Sequence, residues 1–541
     1  MYFREYNQTR FLIVDANIKL RLLMEDYLKS FGAWFIDLAA DGVEAIDKCQ
    51  QGIFDVIICD YNLGTKNGQQ VLEELRIRKL QRATSLFIMM SADTTKDMVL
   101  GAVEYQPDAY ITKPITRDSF KQRMDSLLMD SEALYDIKYA IDCNDINNAL
   151  YLCDKKIAKG SKYSSWCQKT QAQIYLQKKD YDNAKRIYLE VLKTRPVLWA
   201  RLGLVRVAIA QSEFSDAESE LNDIISKNPL CLPAYDLLAD VLLELGKKKL
   251  AQTILFEAVS HSPRAIQRHV RLGEVAQENQ DFDIATEAFR NAIEHGEQSI
   301  FQNANNYLNF ARCLHDTATT LERPLHFSRE DEALGALNTA ETRYGHVSDV
   351  RFQSNMISAR IHLSCERNNE AENALKKAQQ FYMELALELP PRLSLEYAQT
   401  LFTLGKEDEA ELVLNQVKIM HGQDDEIAKK IEDMRDEPVA WQDKQKAAEL
   451  NRMGIQMTET GNMAEAIRVF QDALAYSPRH PALNLNLVQV LLKKILAEQD
   501  ASDSISLCEQ CLKRLAKLPE DHKQYKRFQF LQKKLRQLVA A

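Results

Sequence analysis

Four alanines, Ala184, Ala217, Ala251 and Ala285, recur 33, 34 and 34 residues apart. A small residue returning at this interval constrains the chain more than any other feature, because a period of 20–50 residues is the mark of a stacked array. The clearest single unit is AAELNRMGIQMTETGNMAEAIRVFQDALAYSPRH, with Gly454, Met457, Gly461, Ala466, Phe470, Ala473 and Pro478. Small residues let two antiparallel helices cross closely, and a proline ends the second helix. The frame returns at Leu272, Gly273, Ala285, Phe289 and Ala292, at Tyr235, Ala239, Gly246, Ala251, Leu255, Ala258 and Pro263, and at Ala172, Tyr175, Ala184, Tyr188 and Pro196. Weaker copies pair Ala359 with Ala371 and Ala398 with Ala410, and the unit opening at WARLG, Trp199 to Gly203, is shifted.

These units resemble the tetratricopeptide repeat (TPR). The resemblance implies about nine units, the first near Ala149 and the last near Leu487, coiled into an all-α superhelix whose groove holds a peptide or helix of a partner protein. Lys169, Gln173, Asp236, Asp240, Glu274 and Gln277 fall at positions expected to face that groove; a solvated face that binds nothing is the alternative for each. The frame breaks between Phe310 and Ala333, where HDTATTLERPLHFSRED reads as an insertion.

The first 128 residues follow another rule. Five short apolar runs, Phe11 to Asp15, Trp34 to Ala39, Val56 to Asp60, Leu86 to Ser91 and Ala109 to Lys113, alternate with amphipathic stretches. Such alternation with short loops implies a parallel sheet covered on both faces, with the flavodoxin-like order 2-1-3-4-5. That order sets the ends of strands 1 and 3 side by side, so Asp15 and Asp60 point into one pocket.

These residues resemble the receiver domain of two-component response regulators. The likeness rests on VDAN at the end of strand 1, ICD ending at Asp60, Asn62, the Asn67-Gly68 pair that opens a helix, MMSA with Ser91, and YITKP with Tyr110, Lys113 and Pro114. It implies that Asp60 accepts a phosphoryl group from a histidine kinase or phosphotransfer protein. Lys113 and Ser91 would hold the phosphoryl oxygens, and Tyr110 would report the state of Ser91. Asp15, Asp60 and the backbone carbonyl of Asn62 would ligate Mg²⁺, and the bond before Pro114 would be cis. One departure bears on the metal. The family has a pair of acids at the end of strand 1, and this chain has Asp15-Ala16. Losing one of two direct carboxylate ligands weakens a Mg²⁺ site. Asn17 and Asp93 are the nearby oxygen donors that remain.

No Gly or Pro occurs from Ile115 to Lys159. The last receiver helix is therefore expected to run into, or abut, the first helix of the array, with an optional N-cap at Asp130-Ser131. The expected organisation is an N-terminal tail 1–9, a receiver 10–128, a helical junction with a degenerate first repeat 129–163, repeats 164–299, an irregular repeat with an insertion 300–350, repeats 351–424, a charged helix 425–446, repeats 447–515 and a basic capping helix 516–541.

Net charge is −9, which disfavours nucleic-acid binding by the whole chain. The last 31 residues are the exception, with nine Lys or Arg against Glu520 and Asp521, and read as a cap on the final repeat. No apolar run approaches the length of a membrane span, and the protein is expected to be cytoplasmic. Ten cysteines lack disulfide-framework spacing and read as reduced; Cys508 and Cys511 form a lone CxxC that reads as helix packing rather than a zinc site. The expected role is a non-enzymatic adaptor that pairs with a kinase, a groove-bound protein and, in a further arrangement, a second copy of itself. The other reading is a phosphorylation-independent docking module.

Overall fold

A computed structural model describes residues 5–64, 66–92, 106–318, 323–385, 388–436, 441–496, 502–516, 518, 522 and 524–540. The described residues divide into two compact units, Met1–Ala336 and Leu337–Ala541.

In the first unit, β1 (Arg10–Val14), β2 (Phe35–Ala39), β3 (Val56–Asp60), β4 (Leu86–Ser91) and β5 (Ala109–Thr112) form a parallel sheet in the order β2-β1-β3-β4-β5. The apolar runs are continuous because both faces are covered. Phe11, Ile13, Val56, Ile58, Ile88 and Met90 face α1 (Ile18–Ser30) and the first half of α4 (Arg117–Asp142). Leu12, Val14, Ile57, Cys59, Phe87 and Met89 face α2 (Gly42–Gln51) and α3 (Gly68–Ile77). Local chemistry opens each helix. Asn17, Asp41 and Thr116 cap α1, α2 and α4 through their side chains, and Asn67 with Gln70 forms a capping box on α3. The helix expected between β4 and β5, and Asp93 with it, lie outside the described residues.

The junction is a single helix. α4 has 26 residues, about 39 Å of helix, and does not break at Asp130-Ser131. The Asp130 carboxylate instead accepts from Tyr163 Oη at 2.6 Å and Lys162 Nζ at 3.0 Å, so it serves a tertiary contact in place of a cap. Phe120, Met124 and Leu128 bury against the sheet. Leu134, Ile137 and Ala140, farther along the same helix, bury against α5 (Ile146–Ala158) and α6 (Ser164–Gln177) through Ala149, Cys153 and Cys167. The last receiver helix is thus also the first helix of the array. Its end is tied back to the loop before β4, since Asp142 accepts from the backbone of Ala83 (2.6 Å) and from the backbone and hydroxyl of Thr84 (3.0 and 2.8 Å).

Antiparallel pairs follow: α6 with α7 (Tyr181–Thr194), α8 (Leu198–Ala210) with α9 (Phe214–Lys227), α10 (Leu232–Glu244) with α11 (Lys248–His261), and α12 (Ile266–Glu278) with α13 (Phe282–His295). The recurrent alanines 184, 217, 251 and 285 are all buried. A residue with positive φ sits in each intra-pair turn, at Lys179, Ser212, Gly246 and Gln280, in the same register as the alanines. The described residues of the expected insertion are helical. α14 (Ala304–Ala318) is followed by α15 (Arg323–Tyr344), whose 22 residues lengthen the second helix of that pair, and Pro324 sits in its first turn, where the missing N–H costs no bond.

The second unit continues with α16 (Ser348–Ser364), α17 (Asn368–Leu385), α18 (Pro391–Thr403), α19 (Glu407–His421), α20 (Asp425–Asp436), α21 (Trp441–Glu459), α22 (Met463–Tyr476), α23 (Pro481–Ile495), α24 (Ser502–Arg514) and α25 (Tyr525–Ala540). Two helices are described within the charged stretch 425–446. α20 ends at Asp436, and a new helix begins at Trp441 and carries the repeat signature. Phe528, Leu531 and Leu535 of the basic helix pack on a core shared with Phe470, Leu491, Cys508 and Cys511. Burial pushes the thiols of Cys508 and Cys511 up to about 12 and about 11.

Candidate functional site

Parallel strands that enter from one side end on one edge, and the receiver's charged residues gather there. Asp60 is the last residue of β3, Asp15 follows β1, Ser91 ends β4 and Lys113 follows β5. Lys113 Nζ lies 2.7 Å from Asp15 Oδ2 and 3.0 Å from Asp60 Oδ1, which brings the two carboxylates together around one ammonium. The backbone secures the approach. Lys113 N donates to the Ser91 carbonyl at 2.8 Å, and Tyr61 N to that of Met90 at 2.8 Å. Asp15 Oδ1 accepts from Asn17 N at 2.8 Å, and Arg21 donates to the Asp15 carbonyl. The Lys113-Pro114 bond is cis. Gly68 opens α3 where a Cβ would lie 2.9 Å from Met89 Sδ and still closer to the Asp60 carbonyl, so only glycine brings the helix this near the strand end.

Electrostatics follows from burial and from the count of charges. Burial raises the pKa of Asp60; Lys113 opposes that shift and the neighbouring Asp15 adds to it. For Lys113, burial works against the charged form, but the hydrogen bonds it donates to both carboxylates outweigh it and the net shift is upward. Two carboxylates and one ammonium leave the edge with one excess negative charge. All of its donors to a metal are oxygens, the set that suits a hard cation such as Mg²⁺. Ala16 is exposed beside Asp15 and adds no ligand, and the Asn17 side chain is engaged as the cap of α1. Among the described residues no cluster of three or more His, Cys, Asp or Glu forms a metal site. The Asp15 and Asp60 carboxylates are oxygen donors of the kind that fits Mg²⁺. Asn62 is exposed, Ser91 is fully buried, and Tyr110 is half-buried against the α2–α3 side of the sheet.

Residues 11–125 match the response regulator receiver domain, and residues 170–197 match the tetratricopeptide repeat. The chain fuses a receiver domain to tetratricopeptide repeats. The receiver is 32% identical over 122 residues to the transcriptional regulatory protein CiaR of Streptococcus pneumoniae, covering 23% of this chain and 52% of CiaR. The chain thus spans about half the length of that relative. Against chemotaxis protein CheY-3 of Vibrio cholerae it is 25% identical over 118 residues, covering 22% of this chain and 90% of CheY-3. Among solved structures, TrrA of Thermotoga maritima in complex with Mg²⁺-BeF is similar over 22% of this chain and 98% of its own, at 28% identity and a TM-score of 0.20. The C-terminal part of a TPR repeat-containing protein from Cytophaga hutchinsonii is similar over 47% of this chain and 94% of its own, at 16% identity and a TM-score of 0.36.

The array's candidate groove residues fare differently. Asp236 is engaged by Arg268, whose Nε and Nη2 donate at 2.8 and 2.6 Å, and Asp240 by Arg271. These acids are neutralised by the next pair of helices. Lys169 and Gln277 are half-buried, whereas Gln173 and Glu274 are exposed. The bridges run over 32 and 31 residues, close to the repeat period, a complementarity that the sequence carries and the motif reading overlooked. Sequence reasoning also missed Tyr61, Gln70 and Arg264. Gln70 Nε2 donates to the carbonyls of His295 and Glu297 at 3.3 and 3.4 Å, and Arg264 Nη1 to Tyr61 Oη at 3.4 Å.

Proposed function

We propose that this protein is a non-enzymatic response regulator in which phosphorylation of Asp60 controls protein binding by the repeat groove. The observation that carries this reading is the Lys113 ammonium held between Asp15 and Asp60 at the carboxyl edge of the sheet. A phosphohistidine of a kinase or phosphotransfer protein, or a small acyl phosphate, would be the donor. Asp60 oxygen attacks phosphorus, the donor's P–N or P–O bond breaks, and the electron pair leaves with the donor. Mg²⁺, when bound by Asp15, Asp60 and the Asn62 carbonyl, supplies neutralisation of the phosphoryl charge. Lys113 exchanges its bond to Asp60 for one to a phosphoryl oxygen, and the Ser91 hydroxyl donates to another. The Lys113 ammonium opposes the upward push of burial on Asp60 and so favours the ionised, nucleophilic carboxylate.

The change at the edge has a path outward. α4 packs on the sheet at one end and forms the first helix of the array at the other, so a shift of the sheet face is felt by the repeats without a flexible linker. The partner at the groove would be a peptide or helix of another protein. Among the described residues no helix is long and apolar enough to cross a membrane.

Ala16 favours a second reading, in which the receiver docks without being phosphorylated. The two separate on the Mg²⁺ dependence of labelling by acetyl phosphate, followed by intact mass. The first reading predicts an adduct on the wild type and a Mg²⁺ requirement about tenfold lower for Ala16→Asp, which restores a direct carboxylate ligand. An adduct on Ala16→Asp alone would establish the second.

A further inference from the structure

The phosphoacceptor loop makes contacts more than two hundred residues away, all inside the unit Met1–Ala336. Tyr61, next to Asp60, is 5% exposed, and its hydroxyl receives Arg264. Gln70, in the first turn of α3, is 7% exposed. Its carbonyl closes the capping box on Asn67 N at 2.9 Å, which fixes the amide and aims its NH₂ at the carbonyls of His295 and Glu297. Residues 70–75 are all buried, more than the single face a helix presents to a sheet.

The far side of these contacts is a defined place in the fold. Arg264 lies in the turn from α11 to α12, and His295 to Glu297 in the turn from α13 to α14. Both turns join one pair to the next, so they share one rim of the array. The receiver is also joined covalently to the first pair through α4, with Asp142 bonded back to Ala83 and Thr84. Solenoid repeats ordinarily touch only their neighbours. A receiver attached at the first pair and seated beside the fourth and fifth is a non-local constraint on the curvature between them.

We propose that the receiver braces its own repeat array, the Asp60 loop docking through Tyr61 and Gln70 on the rim beside the fourth and fifth helix pairs, and that a phosphoryl group on Asp60 tightens this hold through Arg264. The second clause rests on phosphorylation of Asp60; the first does not. The three bonds, at 3.3 to 3.4 Å, are long and leave room to strengthen. Phosphorylation adds negative charge beside Tyr61, and the exposed Arg264 guanidinium is the cation that reaches this loop from the rim. The brace sets the width of the groove that the intervening pairs offer.

Hydrogen exchange on the full chain tests this in two arms. Gln70→Glu keeps the capping box but sets a carboxylate against two carbonyl oxygens, and Arg264→Glu reverses the rim charge on an exposed turn. Each is expected to speed exchange about tenfold in both 66–77 and 293–299, while β1 and α6–α7 are unchanged. Unchanged exchange in those segments in both variants overturns the brace. In the second arm, wild-type protein carrying the acetyl phosphate adduct is expected to exchange more slowly at 263–269 and 293–299, and Arg264→Glu to lose that slowing. An adduct that leaves the rim unchanged or faster overturns the tightening. If no adduct forms, the phosphorylation reading and the tightening both fail, and the first arm alone decides the brace.

Discussion

Lys113→Met is expected to destabilise the receiver by about 3 kcal/mol and to abolish lasting phosphorylation. The Asp15 and Asp60 side chains are only 8% and 12% exposed and both lean on the one ammonium. Without it two carboxylates share a poorly hydrated edge, and one of them holds its proton to higher pH than in the wild type. A carboxyl whose pKa is raised in the folded state binds its proton more tightly there than in the unfolded chain, so folding weakens as pH rises through that interval. The deficit against wild type should therefore be small in acid and grow toward neutrality. Hydrogen exchange of β1 and β3 as a function of pH reads it, and a deficit independent of pH would mean that Lys113 serves packing alone.

Gly273→Leu should be at least as damaging, at about 3 kcal/mol or more, and its damage should fall on the array. A Cβ at this position would lie 2.8 Å from Cζ of Phe289, whose ring is fully buried, and leucine adds three more carbons to that crossing. Because each pair leans on its neighbours, loss of the α12–α13 crossing also removes support from the pairs on either side. The expected result is an early transition in urea, followed by far-UV circular dichroism, that is absent in Gly335→Ala, where the added methyl meets open space. Coincident transitions in the two variants would show that the close crossing is not what holds the pair.

The parts of this structure that were legible in the sequence are those with local causes. Apolar runs with terminal acids placed the strands and the Asp60 edge, and the recurrent alanines placed the helix crossings. The possible break at Asp130 was read from a residue type that caps helices, yet Tyr163 and Lys162 satisfy its carboxylate from the next pair. The stretch before Ala333 read as an insertion because the repeat frame breaks there, and Pro324 stands in the first turn of α15, where a helix tolerates one. Of the intra-pair turns at Lys179, Ser212, Gly246 and Gln280, only Gly246 announces its positive φ by residue type. The contact of Gln70 with residues 295 and 297 had no local signal at all, since it depends on how the array curves back to the receiver.

Intact mass after incubation with acetyl phosphate and Mg²⁺, on wild type beside Asp60→Asn, decides whether Asp60 is the phosphoacceptor. One phosphoryl adduct is expected on the wild type and none on the variant. An unmodified wild type, or an adduct that persists in Asp60→Asn, would contradict that role.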